Sequence, residues 1–241
     1  MSIVISGDLH GTHDYHTITN KNVKKQLSQQ NKDYPPNYHI VAGDWGAIWN
    51  DSHESLKREN HLIRWYNEKP WETLVVLGNH EGYSRIYRLP IIEKFGGPIW
   101  KVSDRIHILQ NGHVYEIEGK KFLVYGGGDS IDKASRQPFV SWWPEEIPTY
   151  RHFMQAMESI DQVSGKVDYV ITHTCPNNVL DHMVENKLLY SGQKLSDPTV
   201  PQLDGVQAAL VDYKKWFFGH FHVDFEFEKY QCLYKKLVVI N

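Results

Sequence analysis

Four short runs rich in β-branched residues, Ile3 to Ser6, Tyr38 to Ala42, Thr73 to Leu77 and Tyr169 to Thr172, stop directly before polar words. The words are Gly7-Asp8-Leu9-His10, Gly43-Asp44, Gly78-Asn79-His80-Glu81 and His173, and a fifth, Gly219-His220-Phe221-His222, follows the apolar stretch that begins at Trp216. Runs that stay apolar without alternating read as strands buried on both faces, so such a sheet needs covering layers. Because every word sits at the same end of its run, side chains far apart in sequence are expected to converge along one rim.

Helices supply the cover. The segment Ser52 to Lys69 places Leu56, Ile63 and Tyr66 at near-helical spacing and ends before Pro70, and Glu145 to Val163 follows Pro144 with Phe153, Met157 and Ile160 on one face. A second β-rich block runs from Ile106 to Tyr125 with a hairpin turn at Gly119, and a third from Trp216 to Ile240. The expected architecture is α/β (α+β): a two-sheet β-sandwich flanked by helices, as a single domain over residues 1–241. With 41% hydrophobic residues in 241, the chain is able to bury a full core. The Gly126 to Pro144 segment is the longest irregular stretch and a candidate wall for a site.

A formal net charge of −3 provides no general basic field, so extended duplex nucleic-acid binding is not expected. Cys175 and Cys232 form no C-x-x-C pair, which fits a reducing cytoplasm. Met1 to Ile5 carries no basic leader, and no run is long enough to cross a membrane.

Two divalent ions about 3.5 to 4 Å apart require a bridging carboxylate, mixed imidazole and oxygen ligands, and open positions for water and a phosphoryl oxygen. Asp44 is the best bridge candidate. Asp8 with His10, and His220 with His222, are i, i+2 pairs that can meet ions once the backbone turns beyond the strand. Taken together, the five words resemble the ordered motif set of the calcineurin-like metallophosphoesterases. The resemblance implies that Asp8, His10 and His222 bind one metal, that Asn79, His173 and His220 bind the other, and that Asp44 bridges them. His80 is then a catalytic proton donor or charge stabiliser rather than a ligand. Implied too is attack on a phosphomonoester or phosphodiester by a metal-bridging hydroxide, with manganese favoured and iron or zinc as alternatives.

The first and third words also resemble the serine/threonine protein phosphatase branch, whose second motif reads G-D-x-V-D-R-G. Here Ala47 and Ile48 stand where that branch has its Asp and Arg, and Leu77 replaces the Arg before G-N-H-E. A small phosphoester, with nucleotide-like substrates slightly favoured, is therefore expected ahead of a phosphoprotein. A non-catalytic metal-binding interaction module on the same fold is the reading from another class. Arg85 and Arg136 are candidate phosphate clamps, and Trp45, Trp49, Trp142 and Trp143 are candidates for stacking a base. Oligomeric state is not legible.

Overall fold

In the computed structural model, which describes residues 2–189 and 197–240, the chain runs through β1 (Ile3–Ser6), α1 (Asn20–Gln29), β2 (Tyr38–Ala42), α2 (His53–Asn67), β3 (Glu72–Val76) and α3 (Tyr83–Ile86). It continues through β4 (Ile91–Lys94), β5 (Gly97–Lys101), β6 (Ile106–Leu109), β7 (Val114–Ile117), β8 (Lys120–Tyr125), α4 (Tyr150–Gln162) and β9 (Tyr169–Thr172). Beyond these come α5 (Asn177–Glu185), α6 (Thr199–Ala209), β10 (Lys215–Phe218), β11 (Phe225–Phe227), β12 (Tyr230–Cys232) and β13 (Val238–Ile240). Two mixed sheets result, ordered β13-β1-β2-β3-β6-β5-β4 and β11-β12-β10-β9-β8-β7.

The centre of each sheet is parallel: β1, β2, β3 and β6 in the first, and β8, β9, β10 and β12 in the second. Parallel neighbours need a crossover, and α1 and α2 supply it between β1, β2 and β3. The apolar strands divide their side chains between two faces. Ile3, Ile5, Ile40, Ala42, Leu74 and Val76 meet Phe122, Val124, Ile171 and Phe217 between the sheets. Val4, Val41 and Val75 point the other way, onto Leu27, Leu62 and Tyr66 of α1 and α2. Leu123, Tyr125 and Val170 pack outward against Ala156, Ile160, Leu203 and Val206 of α4 and α6. Each such aliphatic side chain contributes about 2 kcal/mol by leaving water, so two-sided burial explains why the runs lack alternation.

Ser52, the first residue of the expected helix, is the N-cap of α2 and accepts from the Ser55 backbone N–H. The helix expected from Glu145 starts instead at Tyr150, because Pro144–Glu146 forms a 3-10 turn and Thr149 with His152 makes a capping box. The block from Ile106 to Tyr125 is split: β6 joins the first sheet, whereas β7 and β8 form a hairpin in the second. Its turn places Glu118 and Gly119 at φ 52° and 69°, the two positive values a tight hairpin turn requires. The β4–β5 hairpin and helices α1, α5 and α6 are additional to the sequence expectations. Among the described residues no helix is long and apolar enough to cross a membrane.

Two strand histidines make the fold acid-sensitive. His39 is buried against Trp71 with Nε2 2.8 Å from Ser6 Oγ, and desolvation holds its pKa down to about 3. At His107, burial and then Lys94 outweigh Glu72 and hold it to about 4. A depressed histidine pKa means that the unfolded chain takes up protons first, so stability falls as pH drops below about 6.5. Each pH unit costs up to about 1.4 kcal/mol per histidine. Thermal melts from pH 7 to pH 4.5 should show a steadily falling midpoint, with a shallower slope in His39→Gln; a flat profile would mean that neither ring is held neutral.

Candidate active site

All five polar words lie beyond the C-terminal ends of the parallel strands, where the two sheets open toward each other. Asp8 and His10 follow β1, Asp44 follows β2, Asn79 and His80 follow β3, His173 follows β9, and His220 and His222 follow β10. The structure brings all eight together. His222 Nε2 lies 3.0 Å from Asp8 Oδ2, and one donor atom each from Asp8, His10 and His222 fits within 4.8 Å. On the other side, Asn79 Oδ1 is 2.9 Å from both His173 Nε2 and His220 Nδ1, which are themselves 3.2 Å apart. Asp44 stands between the groups, with Oδ2 3.3 Å from His10 Nε2 and Oδ1 3.2 Å from His173 Nε2.

Hydrogen bonds aim these atoms. His173 Nδ1 faces the Ala42 carbonyl at 3.0 Å, so Nδ1 donates there and Nε2 is the atom turned toward the cluster, free to coordinate once a cation displaces its proton. His10 Nδ1 faces Asp14 Oδ2 at 3.1 Å, and Lys235 pairs with Asp14 from behind. The Asn79 amide is oriented by a relay: its Nδ2 donates to Ser130 Oγ (3.1 Å), and the Ser130 hydroxyl donates to Glu146 Oε2 (2.7 Å). Glu146 is fully buried, and desolvation pushes its carboxyl up to about 7. Glu81 is likewise buried and accepts from the backbone N–H groups of Trp45 and Gly46, pinning the loop after Asp44.

His10, Asp44, His220 and His222 all have left-handed backbone, at φ 44°, 51°, 70° and 53°. Four such residues in one cluster are strained, at of order 1 kcal/mol or more each. The glycines of the words serve close approach, and Gly43 is itself left-handed at φ 87°. A Cβ on Gly78 would fall 2.2 Å from Asp44 Oδ1, one on Gly43 2.1 Å from His173 Nδ1, and one on Gly219 2.1 Å from Asp8 Oδ1.

Electrostatically the cluster favours positive charge. Burial alone would lower His10 and His173, yet Asp44 and Asp8, with Asp14 also acting on His10, raise them to about 9 and 10. Burial, and then the proximity of His173, drive His220 the opposite way, to about 4. Convergent imidazole, carboxylate and amide-oxygen donors in a negative field fit divalent cations. His80 sits close enough to His10 and Asp44 to complete a third donor group, so geometry alone also permits it to coordinate.

A cavity of about 520 Å3 opens over His10, His80 and His222, walled by Gly46, Trp49 and Arg58. Arg136 lies along His80, Nη1 3.3 Å from Nδ1 and Nη2 3.4 Å from Nε2, and its other face pairs with Asp132 at 2.7 Å. Arg85 is elsewhere: Glu59 and Asp51 hold its guanidinium. Trp45 and Trp143 are fully buried and pack in the core, whereas Trp49 reaches the cavity. Gly128 passes beside the His173 and His220 rings, as the glycines of the Gly126 to Pro144 loop suggest. Sequence reasoning gave no role to Asp14, Glu81, Ser130, Glu146 or Arg58. Glu81 closes the third word and Asp14 follows His10 by four residues, whereas the other three carried no spacing signal.

An imidazole and carboxylate cluster at the open end of paired sheets is the arrangement of a metal-dependent hydrolase. The family model for calcineurin-like phosphoesterases matches residues 1–224, and the chain belongs to that family, a class of metal-dependent hydrolases of phosphoric esters. No curated protein matches the chain. Among solved structures it is similar to one described as GAP50, the anchor in the inner membrane complex of Plasmodium, at 13% identity. That match covers 96% of this chain and 70% of the other with a TM-score of 0.44, too low to carry an argument.

Two substitutions test how the cluster is held. Gly78→Ala should displace Asp44 and weaken divalent-metal binding measured by calorimetry. Ser130→Ala releases the Asn79 amide and should weaken divalent-metal binding about tenfold, with Ser130→Thr retaining most of the affinity. Unchanged titrations would show that neither contact orients a ligand.

Proposed function

We propose that this chain is a dinuclear-metal phosphoesterase acting on a small phosphomonoester or phosphodiester, with nucleotide-like substrates favoured. The observation that carries the reading is the division of Asp44, one carboxylate oxygen toward His10 and the other toward His173. In this reading Asp8, His10 and His222 hold one ion, Asn79, His173 and His220 the other, and Asp44 both. Bound divalent ions would supply acidified water and neutralise phosphoryl charge. Manganese is the preferred ion, since the donors are borderline to hard.

The protein's own contribution is positional. The His80 backbone N–H donates to Asp44 Oδ1 at 2.8 Å, fixing the ring at the rim of the cavity beside the bridge. From there the imidazole can stabilise charge on, or give a proton to, the leaving oxygen. Arg136 places a permanent positive charge along the same ring, which supports its expected phosphate contact. Arg85 contributes indirectly at most, given its pairing with Glu59 and Asp51.

Small substrates are favoured over phosphoproteins because Ala47, Ile48 and Leu77 are buried apolar side chains that offer His80 no carboxylate and phosphate no guanidinium. The cavity volume suits a ligand of nucleotide size. Both cysteines are buried free thiols, consistent with the proposed cytoplasmic location.

Hydrolysis of p-nitrophenyl phosphate and bis-p-nitrophenyl phosphate with added manganese tests the reading and separates monoesterase from diesterase preference. His80→Ala should lower kcat about 100-fold or more while keeping metal, and Asp44→Asn should lose metal as well. No turnover of either compound by metal-loaded protein would favour a binding module instead.

A further inference from the structure

We propose that Arg58 determines specificity by taking a second anionic group of the substrate, so that the natural substrate is a phosphoester bearing a further phosphate or carboxylate. The inference rests on the phosphoesterase reading above and concerns the part of the cavity lining supplied by α2.

Arg58, carried by α2, lines the same cavity of about 520 Å3 that His10, His80 and His222 border. Its Nε is shut away from solvent and has no hydrogen-bond partner. Among the described residues no carboxylate pairs with it. Arg105 Nε is also buried without a partner but does not line this cavity, and three other arginines are paired. Arg85 pairs with Glu59 and Asp51, Arg88 with Asp51, and Arg136 with Asp132. Glu59, the residue next to Arg58, turns to Arg85 instead. On the cavity wall Asp14 is occupied by His10 and Lys235. Arg58 is thus a permanent cation with a desolvated donor and no internal anion to satisfy it. An unsatisfied buried donor is costly, and a guanidinium is suited to a planar or tetrahedral oxyanion held by paired hydrogen bonds.

Placement decides what kind of anion this is. The scissile phosphoryl group belongs with the metal-ligand cluster and His80, which have their own positive partner in Arg136. Arg58 belongs to α2, an element that supplies none of the cluster's side chains, although it lines the same cavity. With the scissile group already served by the cluster, His80 and Arg136, the group that Arg58 takes is a second one on the same molecule, and Trp49 lines the cavity they share.

Matched pairs that differ only in a second anion test this on the metal-loaded full chain. Adenosine 3′,5′-bisphosphate against adenosine 5′-monophosphate adds a phosphate; phosphoserine against phosphoethanolamine adds a carboxylate. The wild-type chain should prefer the doubly anionic member of one pair by about tenfold or more in KM and in calorimetric affinity, and the pair concerned identifies the anion. Arg58→Ala should remove that preference, and Arg58→Lys should keep part of it. Equal losses on both members of a pair, or no preference in the wild-type chain, would overturn the proposal. Binding preference that depends on Arg58 without any turnover would overturn the phosphoesterase reading and leave the Arg58 site standing. Absence of that preference despite turnover of p-nitrophenyl phosphate would do the reverse.

Discussion

The structure depends on two carboxylates, Asp8 and Asp44, buried where the sheets part. A carboxylate removed from water must be given donors or counter-charge. Asp8 receives the His220 backbone N–H on both oxygens and faces His222; Asp44 receives the His80 N–H and lies between His10 and His173. These contacts offset the strain of the left-handed residues in the loops. His173 leads the groups that, against burial, hold Asp44 well below the usual carboxylate range. Loop shape, ligand direction and charge are one problem with one solution.

The two-sheet arrangement was legible because continuous apolar strands such as Ile3–Ser6 and Tyr38–Ala42 have few other readings. Helix α2 was legible to within its cap. Helix α1 was not, since Val23 and Leu27 are its only buried side chains among lysines and glutamines. The start of α4 was misplaced because Glu146, in sequence an ordinary first-turn acid, is drawn inward by Ser130. The convergence of the five polar words was visible from their shared position after strands. Their support was not, because Ser130 and Glu146 reach Asn79 only through tertiary contacts that no sequence period encodes.

The loop after β2 departs from the protein phosphatase pattern in what it presents to the cavity. Glu81 anchors Trp45 and Gly46 from beneath, Ala47 and Ile48 fill the core, and Trp49 emerges beside His80 with its ring nearly parallel, 13° apart. A segment that elsewhere presents polar side chains here presents an aromatic wall. Cations come instead from the loop bearing Arg136 and from α2, two elements outside the motif set.

The glycine contacts have a consequence for how the protein is made. Gly43 is filled by His173, Gly78 by Asp44 and Gly219 by Asp8, and His220 closes onto Asp8 across 212 positions of sequence. The cluster therefore interlocks like a clasp whose two halves lie far apart in sequence. Segments distant along the chain must close on each other before these side chains take up their geometry. Without that closure Asp8 and Asp44 would lack several of the donors that offset their burial.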